Sequence, residues 1–119
     1  MTGPGRFAGL FTAIDGGDID GFMSWLTEDC SFAYGSGEPV LGAAAVRAMV
    51  DGFLGAFAAV EHRVHSAWEV DRAAITEGTV TYTGADGRST TLPFCNVLHL
   101  ADDGRVRDYR IYIDPTPLG

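Results

Sequence analysis

The chain has 119 residues, 46% of them hydrophobic, which is enough for one domain with a real core. Sixteen acidic side chains oppose eight basic ones, giving a net charge of −8, and no lysine occurs. A phosphate backbone or an anionic lipid surface would be repelled, which argues against nucleic-acid and membrane-surface partners.

Phe7 to Ile14 is a short apolar stretch with no small-residue cleavage site after it, and no segment approaches the ~18 apolar residues of a membrane span. A cytoplasmic protein is the expectation. Phe7, Leu10, Phe11 and Ile14 make one apolar helical stripe. Gly16 and Gly17 end that helix, and Asp18 caps a second one carrying Ile19, Phe22, Met23 and Leu26. Cys30 to Tyr34 reads as a short strand and Gly35 to Pro39 as a loop. Gly42 to about Phe57 reads as a third helix with Val46, Met49, Val50, Phe53 and Phe57 on one side.

From Val60 the period becomes two. Val60, His62, Val64, Ser66, Trp68 and Val70 share one predicted face of a strand. Asp71-Arg72 turns the chain, Ala73 to Thr83 is β-rich, and Gly84 to Gly87 is a hairpin turn. Ser89 to Leu100 is a long strand bent at Pro93. Asp102-Asp103-Gly104 turns again, and Val106 to Asp114 is a last strand stopped by Pro115. Three helices followed by strands joined through tight turns make an α+β fold, with the helices packed in a curved mixed or antiparallel sheet around an internal pocket.

Two stretches carry a family resemblance. One is Ile14-Asp15-Gly16-Gly17-Asp18-Ile19-Asp20 with Leu26-Thr27-Glu28-Asp29-Cys30-Ser31-Phe32. The other runs from Leu92 to Leu100 and from Asp103 to Asp114. Both resemble the SnoaL-like branch of the nuclear transport factor 2-like superfamily. The resemblance implies a conical cystatin-like roll over the whole chain, 1–119. It also implies a pocket for an apolar small molecule, and dimerisation through the outer sheet face, where Arg63, His65, Arg107 and Arg110 could lie.

The resemblance lets each family chemistry be tested position by position. The Arg and two Asp of limonene epoxide hydrolases fall at Gly78, Val80 and Ile111, which carry no charge. The general base of SnoaL-type cyclases also falls at Ile111. The ketosteroid isomerase set falls at Tyr34, Leu10 and Asn96. Scytalone dehydratase fits further: its Asp, Tyr and one His match Asp15, Tyr34 and His62, while its other Tyr falls at Ile14 and its second His near Glu77 or Gly78.

The residues themselves support such a site. His62 is expected to face inward among apolar neighbours, where a neutral imidazole beside a carboxylate can act as a general base. Asp15 ends a helix, where the dipole disfavours a carboxylate by roughly 0.3–1 kcal/mol, so a second job is worth seeking. Tyr34 and Asn96 are expected to hold a substrate oxygen. Phe11, Phe53, Phe57, Trp68, Phe94, Tyr109 and Ile111 are expected to wall the pocket. His65 and His99 read as surface residues, the histidines lack metal-ligand spacing, and Cys30 and Cys95 read as packed thiols. No P-loop or dinucleotide fingerprint is present. The resemblance to scytalone dehydratase at Asp15, Tyr34 and His62 implies a cofactor-free lyase or isomerase, with a binding module for an apolar ligand or a dimeric interaction module as the alternatives.

Overall fold

The computed structural model describes residues 5–119. Met1 to Pro4, which precede the expected first helix, lie outside the described residues. A 3-10 turn, Gly5–Phe7, leads into α1 (Ala8–Asp15), α2 (Ile19–Met23), β1 (Leu26–Tyr34), β2 (Val40–Leu41), α3 (Ala43–Gly55), β3 (Ala59–Val70), β4 (Ala73–Thr83), β5 (Ser89–Leu100) and β6 (Val106–Tyr112). The strands form one sheet in the order β2-β1-β6-β5-β4-β3. β1 runs parallel to β6 and every other pair is antiparallel, so the sheet is mixed. Among the described residues no helix is long and apolar enough to cross a membrane.

The expected apolar stripe of α1 is realised: Leu10 and Phe11 are buried and Ile14 packs against the core. Gly17, at φ +70, closes the helix, with the Asp18 amide donating to the Ala13 carbonyl at 2.8 Å and the Gly17 amide to the Ile14 carbonyl at 3.2 Å. These two bonds form a Schellman end, which needs a left-handed residue at this position. Asp18 then caps α2 by accepting from the Gly21 amide at 2.9 Å.

Several boundaries differ from the sequence expectation. α2 stops at Met23, and Leu26 is the first residue of β1, buried against the core and paired with Val106. An i+4 spacing from Phe22 is equally compatible with an inward strand residue. The short β2 lies between the expected loop, Gly35 to Pro39, and the third helix, where no element was expected; the Gly42 amide bonds the Cys30 carbonyl and folds Val40–Leu41 back on β1. α3 ends at Gly55, leaving Phe57 beyond it, and β6 ends at Tyr112.

The largest difference is in β3. Val64 pairs with Gly78 but Ser66 pairs with Glu77, so His65 is an extra residue and the strand carries a bulge. Inserting one residue inverts the alternation beyond it. His62 and Val64 therefore point with buried Val80 and Gly78 into the cone. Trp68 instead pairs with Ile75 on the outer face, where it is 52% exposed. Gly78 permits this arrangement: a Cβ there would lie 1.9 Å from the Arg63 carbonyl oxygen.

Inside the cone, Phe7, Leu10, Phe22, Val46, Val80, Leu98 and Val106 are almost fully buried and join helices to sheet. Burying each such side chain contributes about 1.5–3 kcal/mol relative to leaving it in water. This packing fixes the positions of α1 and β3, and hence of the site between them.

Candidate active site

Asp15 is the last residue of α1 and His62 the fourth of β3. Asp15 Oδ2 accepts the backbone N–H of His62 at 2.8 Å, and Asp15 Oδ1 lies 2.6 Å from His62 Nδ1. The two bonds make a chelate that fixes both the strand and the ring. They also account for a carboxylate at the negative end of a helix, since charge-assisted hydrogen bonds of about 1.5–3 kcal/mol outweigh that dipole penalty. Both side chains are mostly buried, at 14% exposure for His62 and 24% for Asp15.

A carboxylate only accepts, so Nδ1 carries the hydrogen in neutral imidazole and Nε2 keeps its lone pair. The ring is held between Phe11 and Phe94, with centroids at 5.2 and 5.4 Å. His62 lines a cavity with about 50 Å³ of free space at its centre, room for a few waters or a small planar group. The other walls come from every layer: Ile14 and Phe22 from the first helices, Met49, Val50, Phe53 and Leu54 from α3, Phe32 and Tyr34 from β1. Val60, Tyr82, Tyr109 and Ile111 complete them. Among the described residues the only polar groups on these walls are His62 and three phenols, and no Asp, Glu or Arg lines the cavity. Among the described residues no group of three or more His, Cys, Asp or Glu is placed to hold a metal ion.

The Tyr34 and Tyr82 hydroxyls lie 3.1 Å apart. Burial pushes both phenols above the usual range, Tyr82 far above it with a further rise from its bond to Tyr34. Tyr109 is fully enclosed, and burial, with a smaller effect from the Asp15 charge, raises its phenol too.

Of the residues expected at the site, Asp15 and His62 meet, and Tyr34, Phe53, Tyr109 and Ile111 line the same cavity. Phe11 and Phe94 stand behind the imidazole. Phe57 lies with Asp15 in a neighbouring, more open depression that shares Ile14, Leu54 and Val60 with the cavity. Asn96 does not line the cavity: it is buried behind Tyr109, its amide 3.4 Å from that hydroxyl and its Oδ1 without a partner. Trp68 is outside the cone, for the bulge described above. Tyr82, Phe22, Phe32 and Met49 were not expected at the site. Tyr82 alternates with Val80 on the inward face of β4, and that alternation alone could have placed it inside. His65 and His99 are exposed, and Cys30 and Cys95 are free.

The SnoaL-like domain family matches residues 7–109, and the chain belongs to that family. No curated protein matches the chain. Among solved structures it is similar to an NTF2-like protein of unknown function from Burkholderia pseudomallei K96243, 20% identical, covering 92% of this chain and 88% of that one, with a TM-score of 0.83. It is similar to TerC co-crystallised with polyporic acid, 18% identical over 92% and 89% of the two chains, TM-score 0.81. A third is an LEH-like epoxide hydrolase from M. tuberculosis, 20% identical over 91% and 79%, TM-score 0.78. At these identities the likeness carries the fold, a few helices against a curved six-stranded sheet.

Proposed function

We propose that this member of the SnoaL-like family is a single-domain, cofactor-independent enzyme that removes a proton α to a carbonyl in an apolar small molecule, with His62 as general base. The observation that carries the reading is the Asp15–His62 chelate at the wall of an apolar cavity. In the step, the substrate C–H bond breaks and an N–H bond forms at His62 Nε2. The C–H electron pair becomes the enolate double bond, and the carbonyl π pair moves onto oxygen. Asp15 stabilises the imidazolium that results, and a phenol, Tyr34, donates to the enolate oxygen. Return of the proton to another carbon completes an isomerisation, and loss of a β-substituent from the enolate completes an elimination.

A small planar aromatic suits such walls, and one structural neighbour was crystallised with polyporic acid. The test uses acetophenone in deuterium oxide. The wild type should accelerate deuterium entry at the methyl carbon, and His62→Gln should lose about 10²–10⁴ of that rate. Tight binding of ketones without exchange would leave a non-catalytic binding protein as the reading.

A second reading concerns assembly. The outer sheet face carries Trp68, Val70 and Tyr112, each more than half exposed, and a cross-strand row Trp68–Ile75–Val97. This apolar strip suits a homodimer interface. A dimer by light scattering that becomes a monomer in Trp68→Glu is the expected result; a wild-type monomer at high concentration contradicts it.

A further inference from the structure

We infer that the end of α3, from Gly52 to Phe57, is a yielding wall of the cavity that unwinds to make room for a ligand. The inference rests on the reading of the cavity as a ligand site. Its free space is about 50 Å³. An apolar cavity that accepts benzene has on the order of 150 Å³. A ring of that size therefore enters only if one wall gives way.

Most walls are held. β4 is paired with β3 on one side and β5 on the other along its whole length. The first helix and the turn before it are tied to β3 at both ends, by Arg6–Glu69 at 3.0 Å and by the Asp15–His62 chelate. α2 is anchored by Phe22, almost fully buried. The first half of α3 is anchored by buried Val46 and Val50 and by the Gly42 amide on the Cys30 carbonyl.

The end of α3 is held least. From Asp51 to Ala59 no residue is fully buried. Among the described residues the only polar side-chain tie of α3 is Arg47 to Asp20, in its first half. Beyond it, Phe53 packs on Tyr34 and Tyr82 at centroid distances of 5.1 and 5.7 Å, and Phe57 on Tyr82 at 4.9 Å. A ligand ring resting on Tyr34 and Tyr82 replaces such contacts in kind. The chain is fixed again at Ala58, whose amide donates to the Thr83 carbonyl at 2.8 Å. The segment thus lies between two anchors, Val50 and Ala58.

Its glycines agree with this placement. Neither Gly52 nor Gly55 has a positive φ, and a Cβ on either meets nothing within 4 Å. Backbone geometry and packing would both accept alanine there. What glycine does at these positions is favour unwinding, by severalfold per residue relative to alanine. A local opening confined to a weak segment leaves the rest of the fold intact.

The test compares wild type with the double variant Gly52→Ala, Gly55→Ala, using benzene and xenon as NMR-titrated probes. Xenon is a single atom that the existing space admits. Benzene affinity should fall about tenfold in the double variant, and xenon affinity should stay within about twofold. In the wild type, saturation with benzene should speed amide hydrogen exchange at Gly55 and Ala56 at least tenfold, about the reverse of the usual protection by a ligand, and leave Val46 and Val50 unchanged. Benzene affinity within about twofold of wild type in the variant, an equal loss for xenon, or an end of α3 more protected with benzene bound overturns the proposal. No binding of benzene to the wild type overturns it together with the ligand-site reading. Deuterium entry into acetophenone is a separate readout: its absence, with the benzene and xenon results as expected, removes His62 as a base and leaves the yielding wall standing.

Discussion

Gly78→Ala probes the feature that aims His62 inward. The added Cβ would lie 1.9 Å from the Arg63 carbonyl oxygen and 2.9 Å from both the Arg63 carbonyl carbon and Val64 Cα. All three are backbone atoms, so no side-chain rotation relieves the overlap, and β3 must retreat from β4 by about 1 Å. Overpacking of this kind costs about 1–3 kcal/mol, and each ladder hydrogen bond lost at the bulge adds about 0.5–1.5 kcal/mol. A total near 3 kcal/mol lowers the melting temperature by roughly 10 °C for a chain of this size. The retreat also moves His62, one residue before Arg63, away from Asp15, whose carboxylate holds both its amide and its ring. Thermal unfolding by circular dichroism gives the first quantity. The amide proton shift of His62 gives the second and should move upfield as the 2.8 Å bond lengthens. A variant within about 0.5 kcal/mol of wild type, with an unchanged His62 amide, would refute the close approach and with it the account of the bulge.

Two further outcomes follow from the same structure. Gly52 is exposed within α3, and a Cβ there meets nothing within 4 Å, so Gly52→Ala should raise stability by about 0.5–1 kcal/mol, read as a higher melting temperature. The phenols of Tyr34, Tyr82 and Tyr109 are raised mainly by burial, so the folded state holds their protons more tightly than the unfolded chain. Their contribution is intact below the ordinary phenol range near 10 and is lost as pH rises through the folded values. Tyrosinate absorbance of these three should therefore appear together with loss of circular dichroism, and Tyr82→Phe should shift alkaline unfolding to higher pH.

Much of this was legible in the sequence because local rules and tertiary structure agree. The Gly16-Gly17 stop and the Asp18 cap set where α1 ends, which is where Asp15 sits. Strict alternation from Val60 put His62 on the inner face. The same alternation misplaced Trp68, because a bulge at His65 leaves no mark on a period-two pattern; its trace is Gly78 on the neighbouring strand. Tyr82 was passed over for a different reason. Its partner Tyr34 is 48 residues away on a strand three places across the sheet, and only the curl of that sheet joins them. Asn96 was expected at the substrate oxygen because it points inward, but Tyr109 stands between it and the cavity, and an inward direction does not by itself give depth.

The central claim is that Asp15 fixes His62 with Nδ1 protonated and Nε2 bare toward the cavity. Nitrogen-15 NMR of the imidazole ring reads this tautomer directly. The wild type should show the Nδ1–H form. Asp15→Asn, whose amide can donate to Nδ1, should shift the ring toward the Nε2–H form and abolish deuterium exchange. A wild-type ring protonated at Nε2 when neutral, or a tautomer and exchange rate unchanged in Asp15→Asn, would contradict the account.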